Sequence, residues 1–129
     1  MLIQTPYNET TGEIIAAASE VHRALGPGLL ESAYMRCLRY ELGARGMPFG
    51  YEVAIPRSYK GIELDQGYRI DLIVENTVVV EVKSGETVMP VHRAQVLTYL
   101  KLTSCPVGLL INFNEALLVD GVHRIMNPA

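Results

Sequence analysis

The sequence predicts an α/β fold in which helices flank a central mixed β-sheet, in the order α-α-β-β-β-α-β with a C-terminal hairpin. Apolar residues recur at helical spacing between residues 14 and 42. Two runs of β-branched residues then flank the polar segment 75–77, as expected for a hairpin. After a third helical segment, the continuous apolar run 107–111 is typical of a buried strand reached by a parallel crossover.

Length and charge limit the kinds of protein this chain can be. A length of 129 residues fits one domain, which we expect to span residues 10–129 after an N-terminal arm of residues 1–9. With 49% hydrophobic and 19% charged residues, the chain can bury a sizeable core. The formal net charge of -3 provides no global basic field, which counts against tight non-specific binding of nucleic acid. A local basic groove is still compatible with this charge.

The cysteines and the hydropathy of the chain indicate its cellular location. Cys37 and Cys105 lack the spacing of metal ligands, and we interpret them as reduced residues of a cytoplasmic protein. The N-terminus has no charged-then-apolar signal, and no apolar run approaches membrane-spanning length. We therefore expect a cytoplasmic location and no membrane partner.

Two helices are predicted before the sheet, over residues 10–25 and 29–43. Thr10 fits the N-cap of a capping box, and Gly26-Pro27-Gly28 separates the two helical patterns. Glu31 falls in the first turn of the second helix, where the helix dipole stabilises a carboxylate. A first-turn charge with no part in a site is the alternative interpretation of Glu31.

The outer strands are less regular than the helices. Residues 49–56 are predicted as a strand whose terminal proline places it at an edge or ends it there. A turn and a short return strand at 62–64 follow. Near the C-terminus, residues 117–119 and 122–125 flank Asp120-Gly121, which predicts a closing hairpin with a tight turn.

The central hairpin, residues 68–84, has one register that sorts its side chains. If the loop is the three residues 75–77, Val74 pairs with Val78. A two-residue loop would shift the pairing by one position and mix apolar with charged side chains. The three-residue loop instead gives one face that is entirely apolar: Leu72, Val74, Val78, Val80 and Val82.

The opposite face of this hairpin brings two carboxylates together. Asp71 lies opposite Glu81 with Cβ atoms roughly 5 Å apart, and alternation adds Lys83 and Arg69 to the same face. Adjacent carboxylates repel, so the site must hold a proton, a cation or a basic side chain. Oxygen ligands suit Mg²⁺ or Mn²⁺. A charged cluster on a solvated sheet face is the alternative interpretation.

The third helix, residues 90–103, directly follows the strand that carries Glu81. Pro90 suits the first position of a helix because it has no N–H to leave unpaired. Gln95 can reach the charged end of the preceding strand, although a solvated glutamine is an equally simple interpretation. The apolar stripe of this helix is predicted from its spacing to be Val91, Ala94, Leu97 and Leu100.

Several stretches of the chain together resemble one protein family. The most specific is Gly28-Leu29-Leu30-Glu31-Ser32-Ala33-Tyr34, and residues 20–28, 67–72, 94–101 and 109–113 add to it. They are similar to the GxxExxY protein family, a small bacterial and archaeal branch of the PD-(D/E)XK nuclease superfamily. The resemblance covers roughly residues 10–126 and implies a restriction-endonuclease-like core.

The resemblance also implies roles for individual residues. Asp71 and Glu81 match the metal-binding acids of the superfamily, and Lys83 matches its catalytic lysine. Gln95 matches a glutamine that several branches carry on the following helix. Ile70 departs from the superfamily motif, which names a proline at this position.

The implied chemistry is phosphodiester hydrolysis with Mg²⁺ or Mn²⁺. The two paired acids and the Val82 carbonyl would hold the ion, and Glu31 matches an acid that helps to hold metal in some branches. Carboxylates beside Lys83 favour its charged form, so we expect this lysine to orient water and stabilise developing negative charge rather than act as a base.

Three functions are compatible with these residues. The first is a metal-dependent nuclease acting on DNA or RNA, which the intact set of Asp71, Glu81 and Lys83 favours. The second is an inactive nuclease-fold module that binds nucleic acid or a protein partner, and the third is a hydrolase of a small phosphorylated ligand. A homodimer is compatible with the long apolar C-terminal region. A nuclease would need a phosphate-contacting surface built from basic residues such as Arg69, Lys60, Arg93 and Lys101.

Overall fold

Helices cover both faces of a five-stranded sheet in the computed structural model, which describes residues 7–64 and 68–128. The helices and strands have the following bounds: α1 Asn8–Leu25, α2 Glu31–Ala44, β1 Phe49–Ala54, β2 Ser58–Tyr59, β3 Ile62–Glu63, β4 Arg69–Val74, β5 Val78–Lys83, α3 Pro90–Thr103, β6 Val107–Asn112 and β7 Val122–Met126. The sheet order is β1-β4-β5-β6-β7, with β5 and β6 parallel and the other neighbours antiparallel. The predicted α/β fold with a central mixed sheet is confirmed.

The first layer of core lies between the sheet and the helices α1 and α2. Ile14 and Ala17 of α1 and Leu38 of α2 are completely buried there. The predicted apolar face of the hairpin points into this layer, since all five of its residues belong to the same cluster: Leu72, Val74, Val78, Val80 and Val82. The predicted register is also confirmed, because Val74 pairs with Val78 across a three-residue loop.

The second layer lies between the opposite sheet face and α3. Val79, Leu110 and Val96 are completely buried in it. Gly108 of β6 makes the close approach of α3 possible, because a Cβ there would lie 2.6 Å from Cγ1 of Val96. The sheet face that carries Asp71 and Glu81 is therefore covered by a helix along part of its length and is not a solvated surface.

The apolar stripe predicted for α3 is wrong in part. The helix does span Pro90–Thr103, but Val91 is 66% exposed and Ala94 is also exposed. The buried residues are Val96, Tyr99 and Leu100. The packing of Val96 over Gly108 sets this orientation of the helix, which spacing within α3 could not reveal.

The ends of the chain also differ from prediction. Tyr7, not Thr10, is the N-cap of α1, and the Thr11 hydroxyl donates to the Tyr7 carbonyl oxygen at 3.0 Å, which supports an earlier start. Residues 8 and 9 of the predicted arm are thus helical, whereas residues 1–6 lie outside the described residues. Two consecutive residues of the predicted closing hairpin, Leu118 and Val119, belong to a 3₁₀ helix, Leu118–Gly121, and β7 pairs with β6 instead.

Two further expectations concern cysteines and membranes. Cys37 and Cys105 are both free thiols. Within residues 7–64 and 68–128, no helix combines the length and apolar character needed to cross a membrane.

Candidate active site

Asp71 lies where β4 loses its regular pairing with both neighbouring strands. The pairing of β4 with β5 is regular from Val74 only as far as Leu72, although both strands continue. On the other side, the pairing with β1 omits Asp71 and Glu52, and Glu52 has a φ of 49°. At the position of the predicted site, the pairing of β4 with β5 therefore ends, and its pairing with β1 is interrupted before it resumes at Val53 and Ile70.

The two acids lie in this gap in the strand pairing, and each carboxylate accepts a hydrogen bond from the backbone of the other acid's strand. The Asp71 N–H donates to Oε2 of Glu81 at 2.7 Å, and the Val82 N–H donates to Oδ2 of Asp71 at 2.8 Å. Each carboxylate thus takes the place of a backbone carbonyl as the acceptor for the opposite strand. Both side chains are fixed by backbone contacts before any ligand binds.

Both carboxyl groups are partly or fully removed from water. Glu81 is 3% exposed, and burial followed by the charge of Asp71 raises its pKa from 4.5 to about 8. Burial also raises the pKa of Asp71, against the opposing effect of the Val82 N–H. Because two like charges in a desolvated site repel, full ionisation of the pair requires a positive partner.

Lys83 and Glu31 act on this pair with opposite sign. The charge of Lys83 lowers the pKa of both Asp71 and Glu81, whereas the charge of Glu31 raises both. Lys83 is half-buried and Glu31, the first residue of α2, is exposed. The structure therefore brings all four charged residues of the predicted site within electrostatic reach of one another.

The glycine-rich loop between α1 and α2 positions Glu31. Gly26 has a φ of 68°, a conformation that favours glycine. The hydroxyl of the buried Tyr34 donates to the Gly26 carbonyl oxygen at 2.5 Å and accepts from the Leu29 N–H at 3.1 Å. Ser84, directly after β5, donates from its N–H to Oε1 of Glu31 at 3.3 Å. The loop and the end of β5 are thereby joined.

Gln95 contacts Tyr99, a residue that was not predicted as part of the site, and Tyr99 in turn contacts the backbone of β4. The Gln95 Nε2 donates to the hydroxyl of Tyr99 at 3.0 Å, and that hydroxyl donates to the Arg69 carbonyl oxygen at 3.4 Å. Burial and then the charge of Glu81 raise the pKa of Tyr99. The four-residue spacing of Gln95 and Tyr99 was the available sequence signal.

Asn112 fixes the chain that follows Lys83 and was likewise not predicted. It pairs with Lys83 across β5 and β6, and only 1% of it is exposed. Its Nδ2 donates to the Gly85 carbonyl oxygen at 3.0 Å, and its Oδ1 accepts from the Gly85 N–H at 3.3 Å. The Phe113 N–H donates to the Lys83 carbonyl oxygen at 2.9 Å. These bonds hold the end of β5 in place.

The donor set can accommodate a hard divalent cation. The N–H and C=O of a strand residue point toward the same neighbouring strand, so the Val82 carbonyl faces the gap beside Asp71. One oxygen of each carboxylate accepts a backbone N–H, which leaves the other oxygen of each for a cation. In the part of the chain that the structure describes, no three His, Cys, Asp or Glu side chains alone form a metal site. Mg²⁺ fits such a partial set because it keeps several water ligands.

The mixed sheet with helices on both faces is an α/β fold of the restriction-endonuclease type, and its adjacent strands β4 and β5 carry two acids and a lysine. Residues 8–125 match the family model of the PD-(D/E)XK nuclease superfamily, and the chain belongs to that superfamily. Its nucleases generally use divalent metals.

A solved structure agrees with the fold. The chain is similar to the crystal structure of SSO0001, with 22% sequence identity and a TM-score of 0.54 over 95% of this chain. The matched region spans 60% of the SSO0001 chain, and the likeness concerns the fold alone. No curated protein matches the chain.

Proposed function

We propose that this protein is a divalent-metal-dependent nuclease that hydrolyses phosphodiester bonds of nucleic acid. The observation that carries the proposal is the reciprocal attachment of Asp71 and Glu81 to each other's strand in a desolvated gap. Two buried carboxylates side by side repel each other, and a bound cation would offset that repulsion. The superfamily supports the same reaction class.

The proposed cation ligands are Asp71, Glu81 and the Val82 carbonyl, with Mg²⁺ or Mn²⁺ as the ion. Glu31 is proposed to assist from the N-terminus of α2, since its charge already acts on both acids. A bound ion would supply charge neutralisation at the phosphoryl oxygens and a more acidic water. The chain itself holds both acids in place through backbone N–H groups, with Glu81 almost completely buried and Asp71 partly buried.

Lys83 is proposed to orient the attacking water and to stabilise negative charge that develops on the phosphoryl oxygens. Its backbone is held by the pairing with Asn112, which limits the positions its ammonium group can reach. Gln95 is proposed to act on the same side of the sheet, where its bond to Tyr99 fixes its amide.

We further propose that the chain belongs to the GxxExxY branch of the superfamily. The support is that each named residue of the motif has a structural role, since Gly28 adopts a φ of 99°, Glu31 binds the Ser84 N–H, and Tyr34 closes the loop. Residues 10–129 would then form one nuclease-like domain of a cytoplasmic protein.

Nucleic acid is the proposed partner, and the phosphate contacts would come from nearby basic side chains. Arg69 is exposed and lies two residues before Asp71 on β4. Arg93, near the start of α3, contacts His123 at 3.3 Å. Lys101, which was also predicted for this surface, lies instead in the last turn of α3, four residues before Cys105, whose thiol contacts the Asn76 carbonyl oxygen in the loop at the other end of the hairpin. Arg69 and Arg93 would offset the net charge of -3 locally.

The test is cleavage of single-stranded, duplex and branched DNA and RNA in the presence of Mg²⁺ or Mn²⁺. We expect cleavage by the wild-type protein and none by Asp71→Asn, which keeps the shape of the side chain but removes its charge. Cleavage that persists in Asp71→Asn would contradict the proposed site. Metal binding without cleavage of any polymer would instead favour the hydrolase of a small phosphorylated ligand or the inactive module.

A further inference from the structure

A small cleft opens on the α3 side of the sheet, beside the hydrogen-bonded pair of Gln95 and Tyr99. It combines an aromatic ring and a guanidinium group with short apolar side chains. Its principal lining residues are Arg57, Tyr68, Val91, Ala94, Gln95 and Tyr99.

The outer wall of the cleft offers a stacking surface. Tyr68 is 43% exposed, and the guanidinium carbon of Arg57 lies 5.9 Å from the centroid of its ring. An aromatic ring and an arginine side by side are the groups on which proteins stack single-stranded bases. The two residues are eleven positions apart in the sequence, so only the fold shows this pairing.

The cleft is small and open to solvent. Its volume is about 190 Å³, which equals about six water molecules at roughly 30 Å³ each. Pockets for drug-sized molecules usually measure roughly 300–1,000 Å³. The recessed part of the cleft is therefore of a size that suits one heterocyclic ring system.

The cleft also lies next to the acid pair. The hydroxyl of Tyr99 contacts the carbonyl oxygen of Arg69 at 3.4 Å, and Arg69 precedes Asp71 by two residues on β4. A nucleotide with its phosphate at the two acids would have the cleft within reach of its own base or of the adjacent one. The Gln95 amide also lines the cleft; its Nε2 donates one hydrogen to Tyr99, which leaves the second for a base edge.

We propose that this cleft binds one unpaired nucleobase adjacent to the scissile phosphate, so that nucleic acid with a single-stranded segment is the preferred substrate class. This inference rests on the proposed nuclease function, because it assigns the substrate strand of the same site. A base inside a duplex is stacked between its neighbours and has to leave the helix before it can enter such a cleft.

The test compares two dye-labelled oligomers of equal length and charge, one of thymidylate and one whose sugars are all abasic. Binding is measured by fluorescence anisotropy with Ca²⁺ in place of Mg²⁺. We expect Tyr68→Ala to weaken binding of the thymidylate oligomer about tenfold and to leave binding of the abasic oligomer unchanged. Tyr68→Phe, which keeps the ring, should bind like the wild type.

Tyr51→Ala is the matched control. Tyr51 is 52% exposed and has the guanidinium carbon of Arg39 4.1 Å from its ring centroid. It pairs with Leu72, whose side chain faces α1 and α2, so it lies on the opposite side of the sheet from the cleft. This variant should change neither affinity. Thermal denaturation of each variant checks that the fold is intact.

Equal wild-type affinity for the two oligomers, or an equal loss for both in Tyr68→Ala, would overturn the inference. A separate cleavage assay with Mg²⁺ distinguishes this failure from that of the nuclease proposal. Cleavage without base-dependent binding would rule out only the proposed role of the cleft in binding a base. Base-dependent binding that requires Tyr68, without cleavage, would support base binding by the cleft and rule out only the proposed nuclease activity.

Discussion

Asp71 and Glu81 are each hydrogen-bonded to a backbone N–H of the other's strand, at 2.8 Å from Val82 to Asp71 and at 2.7 Å from Asp71 to Glu81. This exchange replaces the regular pairing of β4 and β5 at the point where the two strands separate. It fixes two partly desolvated carboxyl groups side by side, and among residues 7–64 and 68–128 no basic side chain forms a salt bridge with either of them. We expect this arrangement to affect both the stability of the protein and its chemistry.

Glu81 should make the stability of the metal-free protein depend on pH. Its pKa is raised from 4.5 to about 8 in the folded state, so between these values the folded protein holds a proton that the unfolded chain has lost. Stability therefore falls as the pH rises from 4.5 to about 8, by up to about 1.4 kcal/mol per pH unit.

Glu81→Gln should remove most of this dependence, because the amide does not titrate. Chemical denaturation with a chelator present, repeated at several pH values between 5 and 8, measures the effect. A wild-type protein whose stability rises over this interval would contradict the assigned shift of the Glu81 pKa.

Mg²⁺ should stabilise the wild-type protein by an amount that grows with the logarithm of the ion concentration once the site is filled. At a free concentration one hundred times the dissociation constant, the gain is about 2.7 kcal/mol. Asp71→Asn removes one of the two charges that attract the ion, so its Tm should respond little to Mg²⁺. An equal rise in Tm for both proteins would place the bound ion elsewhere.

Lys83→Arg should lower kcat while leaving the fold intact. The positive charge is kept, but the planar guanidinium cannot hold water in the geometry of an ammonium group. We expect a loss of about 100-fold, comparable to the removal of one positioned donor at a transition state. Lys101→Arg is the matched control, because Lys101 is exposed in the last turn of α3, beside the loop at the end of the hairpin that is remote from Asp71 and Glu81. Unchanged cleavage by Lys83→Arg would exclude the positioning role.

Tyr34→Phe should loosen the loop that carries Glu31. The variant leaves the Gly26 carbonyl and the Leu29 N–H without their shared hydroxyl partner. Because Tyr34 is completely buried, we expect a loss of about 1–3 kcal/mol in the free energy of unfolding. Tyr40→Phe, 74% exposed on the same helix, should have no such effect. Equal stability of the two variants would show that the loop does not depend on this hydroxyl.

Gly108→Ala should destabilise the contact between α3 and the sheet. The added Cβ would lie 2.6 Å from Cγ1 of Val96, a β-branched side chain that cannot easily move. Overpacking of this kind costs about 1–3 kcal/mol. Gly43→Ala in α2, where nothing lies within 4 Å of the new Cβ, should be neutral or stabilising. Urea denaturation of both variants measures the difference, and a stable Gly108→Ala would show that α3 can shift.

Much of the fold was predictable because it depends on local chemistry. The three-residue loop and the alternation of side chains fixed the register of the central hairpin, since a shift by one residue would have placed valines and acids on the same face. Pro90 marked the start of α3 because a proline without an N–H suits the first turn. The same alternation predicted that Asp71 and Glu81 share a face of the hairpin, and in the structure each carboxylate accepts a backbone N–H of the other's strand.

The environment of those side chains was decided by the tertiary structure. The rotation of α3 depends on how closely Val96 approaches Gly108, two residues that belong to different elements. The burial of Glu81 depends on the helix that covers its face of the sheet. The separation of β4 from β5 depends on the N–H groups of Asp71 and Val82, which donate to carboxylates instead of to backbone carbonyls.

The amino-acid sequence by itself determined which residues share a face, because that follows from periods of two and 3.6 residues along one chain. Only the tertiary structure decided how much water reaches them and which distant groups they contact. Desolvation and long-range charge, which set the pKa of an acid, are properties of the assembled layers and have no signature in local spacing.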